Sequence, residues 1–281
     1  MCAKNADLVL ADAVDNMPAF PKSARAILAL TQDSSCSPKD FVQVIEKDPI
    51  VTVKVLRVAN SAYYSLPNPI SSIDHAVILL GFNTIKNLAL SISSICMAPS
   101  NPLAGFDGHR YLMHSLVTAG MAKQLALHTN IAEPNECFTT GLLHDFGKVV
   151  VAQYMPEKFK EALERSLSKE IPLHWTLQDA AGVDDASIGA ILVERWRFPT
   201  SLVETIRFQH QPGLCDSNMM TCVYAGHQIS KHFGFAFGGG HTESELSISM
   251  AQRLGGTLND VVASMGDLSP IVEEAAYFLG L

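Results

Sequence analysis

Apolar side chains return every three or four residues through most of this chain, and nowhere does a convincing polar/apolar alternation persist for the length of a half-buried strand. Such spacing builds helices. A turn at Pro18–Lys22 leads into a stripe begun by Ile27, Leu28 and Leu30. Ser37, Pro38 and Asp40 then read as cap, first helical position and first turn, ahead of Phe41, Val44 and Ile45 on one face. The run after Asp48-Pro49 is β-branched, yet Val51, Lys54, Val55 and Val58 keep a helical interval, so Ile50–Ala59 is expected as a helix. Ser72 and Gly81 bracket another, and Thr84–Met97 is apolar enough to be buried. Further helices are expected at 108–129, 134–153, 156–168, 183–195, 199–209, 217–233, 243–254, 258–265 and 270–279. The glycine-rich FAFGGG at 235–240 lacks the spacing of a phosphate-binding loop and a strand before it, and reads as a plain flexible loop. The fold class is therefore all-α.

At 281 residues the chain suits about two domains of ~150 residues or one large one. Turn-formers crowd Pro99-Ser-Asn-Pro-Leu-Ala-Gly, which sets the expected division: an extension at 1–16, an amino-terminal helical part at 17–100 and a second helical part at 101–281. Hydrophobic residues make up 48% and charged residues 17%, which excludes a disordered chain and leaves apolar surface for a partner. A net charge of −8 opposes non-specific attraction to nucleic acid and to anionic lipid. The six cysteines form no C-x-x-C pair and read as thiols of a reducing compartment, Cys96 and Cys137 as buried small hydrophobes. No signal peptide opens the sequence and no apolar run reaches the length of a membrane span, so a soluble, cytoplasmic protein is expected.

The run Gly141-Leu-Leu-His144-Asp145-Phe-Gly147-Lys148 places an imidazole beside a carboxylate at the end of an apolar helix. Adjacent helical residues point about 100° apart, so both can reach one ion at the helix edge. His114, in Tyr111-Leu-Met-His114-Ser115, can join from a second helix. Imidazole with carboxylate suits Fe, Mn, Zn or Ni; the plain alternative is a buried His–Asp pair that only hydrogen-bonds. His174 belongs to no ligand-spaced motif, and Trp175 and Trp196 read as packing between helices.

MPAFPKSARAILAL at 17–30, the long stretch from IEKDPIVTVKVLRVAN to NTIKNLAL at 45–90, YLMHS at 111–115, GLLHDFGKVV at 141–150 and GVDDASIGAILVERWRFPTSLVETIRFQHQP at 182–212 occur in an order that resembles the HDOD domain, a helical signalling relative of the HD metal-dependent phosphohydrolases. The resemblance implies a multi-helix fold in which an amino-terminal helical bundle packs on an HD-like helical core, and a metal site at His114, His144 and Asp145, with Lys148 where relatives often place a phosphate-facing lysine. It also marks departures. The late aspartate of catalytic relatives falls at Gly226, beside His227; Asp185 stands where histidine is common; and Gln209 replaces the first of a histidine pair ending at His210. Asp185, His210 and His227 are thus candidate additional ligands in a degenerate centre. The function implied is a non-enzymatic signalling or regulatory domain acting through a protein partner, with homo-oligomerisation an open expectation. Its alternatives are a metal-dependent phosphohydrolase acting on a nucleotide or cyclic dinucleotide, with Lys148 catalytic, and a metal- or redox-sensing switch.

Overall fold

Ser37 and Asp40 cap the first described helix reciprocally: Asp40 N donates to Ser37 Oγ at 3.3 Å and Ser37 N to Asp40 Oδ2 at 3.2 Å. The structure, a computed structural model, describes residues 26, 27, 30, 37–60, 64, 66, 68–95, 104–240 and 246–279. Their regular secondary structure is helical, with no strand among them. Of the sequence-derived expectations, the turn at 18–22, Leu28 of the stripe, residues 96–97 and 99–103 and the start of the helix at 243 lie outside the described residues.

The described residues fall into two compact units. One contains α1 (Pro38–Glu46), α2 (Pro49–Ala59), α3 (Ile73–Leu80) and α4 (Phe82–Ile95). Val51, Val55, Val58 and Ala59 bury one face of α2, so helical spacing prevails over the β-branched composition. The Asn60 side chain clasps the loop that follows, donating Nδ2 to Ile70 O and accepting Ile70 N at Oδ1, each at 2.7 Å. The final helix, α15 (Ser269–Leu279), belongs to this unit, where Tyr64 Oη donates to Glu274 Oε1 at 2.8 Å.

The other unit is built on α5 (Gly108–Thr129), a 22-residue helix buried along most of its circumference. Against it pack α6 (Pro134–Leu143) and α12 (Asn218–His232). Both contacts are backbone-close. A Cβ on Gly141 would stand 2.9 Å from Ala119 Cα, and one on Gly226 would stand 2.7 Å from Ala122 N. Glycine at these two points lets α6 and α12 approach α5 closely enough to bring side chains of all three to one place. Around them lie α7 (Phe146–Tyr154), α8 (Pro156–Lys169), α9 (Leu173–Ala181), α10 (Asp185–Arg195) and α11 (Thr200–Arg207), with α13 (Ile248–Leu254) and α14 (Leu258–Met265) following α12.

Three expectations need correction. The helix expected over 134–153 is two, α6 and α7, separated at His144 and Asp145. A helix absent from the sequence reading, α9, occupies 173–181, and its Trp175 is 59% exposed rather than packed in a seam. The FAFGGG segment is tied down: Gly239 N donates to Ser166 Oγ at 2.8 Å and Ala236 O accepts from Arg110 Nε at 2.8 Å. Cys137 and Cys222 are fully buried, as a small-hydrophobe reading of Cys137 requires. A hydrogen bond with Cys222, together with burial, pushes the Cys137 thiol up, so it stays protonated. Among the described residues no helix is long and apolar enough to cross a membrane.

Candidate metal centre

The break between α6 and α7 is where chemistry concentrates. His144 closes α6, Asp145 sits in a non-helical conformation (φ −95°, ψ 11°), and Lys148 lies one turn into α7. α5 supplies His114 and α12 supplies His227. The ring centroids of the three histidines are 5.0–5.2 Å apart in every pairing. One ligand atom from each lies within 4.8 Å of the others, an arrangement that can hold a metal ion. Asp145 joins them, with Oδ2 3.3 Å from His114 Nε2 and Oδ1 3.6 Å from His144 Nε2.

Hydrogen bonding fixes the tautomers of two of the rings. His114 Nδ1 is 2.7 Å from Phe235 O and His144 Nδ1 is 2.7 Å from Gly141 O. A carbonyl can only accept, so each Nδ1 carries a proton, and the Nε2 of a neutral His144 presents a lone pair to the cluster. Burial is the main cause that lowers the His144 pKa to about 4, and burial with neighbouring His144 and His114 holds His227 well below the usual value. His144 and His227 are therefore neutral near pH 7. His144 Nε2 is buried without a hydrogen-bond partner. A buried lone pair 3.6 Å from a carboxylate oxygen is repelled unless a cation lies between them, so this donor set fits a divalent metal of borderline character.

A second group adjoins the first. Lys148 Nζ bonds Asp145 Oδ1 and lies 3.2 Å from Asp185 Oδ2. Burial would lower the Lys148 pKa, but the two carboxylates more than offset it and raise it. Burial likewise pushes Asp145 and Asp185 up. His144 and Lys148 overcome this at Asp145, as Lys148 and His210 do at Asp185, and both carboxyls stay below the ordinary range. His210 Nε2 is 3.3 Å from Asp185 Oδ1, and the His210 ring stacks on His174 with centroids 3.9 Å apart and planes 9° from parallel. Asp184 is close by, but its carboxylate caps α10, accepting Ala186 N and Ser187 N at 3.2 Å.

The sequence-selected residues divide accordingly. His114, His144, Asp145 and His227 meet in one cluster, while Lys148, Asp185 and His210 form the adjoining one. Gly226, where a late aspartate was expected, faces the Ala122 backbone rather than the cluster. Gln209 donates Nε2 to His144 O at 2.7 Å, fixing the end of α6. His174 was missed because its partner arrives only through packing. A cleft opens beside the cluster, lined among others by Lys148, His174, Trp175, His210, Phe237 and Gly239.

The HDOD domain family profile matches residues 17–212. The chain belongs to the HDOD family. An HDOD-domain protein of unknown function from Geobacter sulfurreducens superposes with a TM-score of 0.81 at 23% identity, over 99% of this chain and 97% of that one. A protein from Shewanella amazonensis SB2B, provisionally named a phosphohydrolase, gives 0.76 at 24% identity over 96% and 98%. At these identities the likeness is one of fold. An uncharacterized protein of Treponema pallidum (strain Nichols) is 28% identical over 206 residues, which is 72% of this chain and 39% of that protein. The HDOD match ends before α12, so His227 lies beyond it.

Proposed function

We propose that this HDOD chain is a regulatory, signal-transducing protein that works through a protein partner and whose degenerate HD centre holds a divalent cation without turning over a phosphoester. The observation that carries the reading is the donor set: three imidazoles around Asp145, with neutral His227 facing the cluster where a carboxylate would complete a hydrolytic site. Gly226 cannot take that role while it packs on Ala122, and Gln209 is committed to the His144 carbonyl. Lys148 is engaged by two aspartates, which draws its ammonium away from an incoming phosphate.

In this reading His114, His144, His227 and Asp145 hold the ion, with Fe, Mn, Zn and Ni as candidates and Asp185 and His210 outside the set. A bound ion would supply Lewis-acid polarisation of an oxygen ligand. The chain's own groups prepare the place. The Phe235 and Gly141 carbonyls hold two imidazoles in the ligating tautomer, and Lys148 keeps Asp145 ionised. The net charge of −8 supports a protein partner over nucleic acid or anionic lipid, and six scattered cysteines with no C-x-x-C pair support a cytoplasmic setting. The cleft at the cluster is what favours a phosphohydrolase as the second reading.

Elemental analysis of protein purified without tag or chelator tests the centre: near-stoichiometric metal is expected, lost in His144→Ala. In-cell crosslinking tests the function. A specific protein partner is expected, and finding none under several signalling conditions contradicts the regulatory reading.

A further inference from the structure

We infer that Lys148 fills the position of a second cation, so that the centre holds one divalent ion per chain while the lysine ammonium plugs a latent second site. The inference rests on the reading of a cation at His114, His144, His227 and Asp145. Asp145 serves both places: Oδ2 turns toward His114 and Oδ1 toward Lys148. Asp185, 40 residues later, reaches the same ammonium from the first turn of α10. Both carboxylates are almost completely buried, at 1% and 0% exposure, and buried anions require a cation.

The surroundings of Lys148 Nζ are not those of an ordinary surface ion pair. Its side chain is 5% exposed, and of its two carboxylate partners one comes from the break between α6 and α7 and the other from the first turn of α10. Behind Asp185 stands His210, its ring held flat against His174. Two carboxylates and an imidazole are a donor set for a divalent cation. The ammonium satisfies the same carboxylates with one charge, carried on the turn of helix that follows Asp145. Ammonium and metal ion cannot occupy this place together, so the lysine fixes the ion count.

Zn²⁺ is the probe, added in excess to chelator-stripped full-length chain and counted by elemental analysis after gel filtration. The expected counts are one per chain for the wild type, two for Lys148→Gln, and one again for Lys148→Gln combined with Asp185→Asn. Two ions in the wild type, or one in Lys148→Gln, overturns the inference while leaving the three-histidine centre intact. No ion in the wild type but one in Lys148→Gln, lost with Asp185→Asn, keeps the lysine's role and sinks the three-histidine reading. No ion in any variant ends both. Because an ion in the lysine's place would neutralise the two carboxylates, Lys148→Gln that fails to fold even with Zn²⁺ present also overturns the inference.

Discussion

Buried histidines that stay neutral make acid costly to this fold. The His144 pKa is lowered to about 4 and that of His174 to about 3, burial being the main cause in each. In the unfolded chain both would titrate near the ordinary value of about 6.5. Between about pH 6.5 and 4 the unfolded state therefore binds protons that the folded state refuses, and metal-free protein loses stability as pH falls. The slope reaches about 1.4 kcal/mol per pH unit for each histidine. Below about pH 4 the depressed Asp145 and Asp185 carboxyls extend the loss. Urea unfolding of the metal-free chain at pH 7, 6, 5 and 4 checks this; equal stability at pH 7 and 5 contradicts it. Gly226 gives a second residue-scale prediction. Gly226→Asp does not restore a ligand, because its Cβ would meet the Ala122 backbone at 2.7 Å, and a loss of about 3 kcal/mol in denaturant unfolding is expected with no gain in metal binding. His114, His144, Asp145 and Lys148 were legible because the motif names them. His174 was not, since nothing near it in sequence says that its ring will lie on His210.

Among the elements, long amphipathic helices were readable and their interruptions were not. Asp145 and Phe146 sit between the apolar pair Leu142-Leu143 and Val149–Val151, and helical periodicity carries straight through the point where α6 ends and α7 begins. The break follows from tertiary demand, because it turns Asp145 toward His114. α9 escaped notice for a different reason. Its buried residues are Leu173, Thr176 and Leu177, so a hydroxyl interrupts the stripe, while Trp175 stays out in solvent. The crossing of α7 and α10 depends on Gly147, where a Cβ would stand 1.8 Å from Asp185 O. Gly147→Ala must push α10 away and weaken the Lys148–Asp185 contact. We expect a loss of about 3 kcal/mol or more in denaturant unfolding. Unchanged stability would show that the two helices have slack there.

For the whole molecule, the helical class followed from apolar spacing and the HDOD family from the order of several motifs, with HD alone being too short to decide. Function is less legible because it depends on which donors finally face one another. His227 lies outside the family match and reaches the cluster only because Gly226 seats α12 on α5. The same seating removes the place for a late carboxylate, which links the fold directly to the regulatory reading. Hydrolysis is the most direct measurement. The chain is loaded in turn with Fe²⁺, Mn²⁺, Zn²⁺ and Ni²⁺ and offered nucleotides and cyclic dinucleotides, with His144→Ala as control. No turnover above the control is predicted for any metal; turnover that disappears with His144→Ala would contradict a regulatory centre and establish a phosphohydrolase.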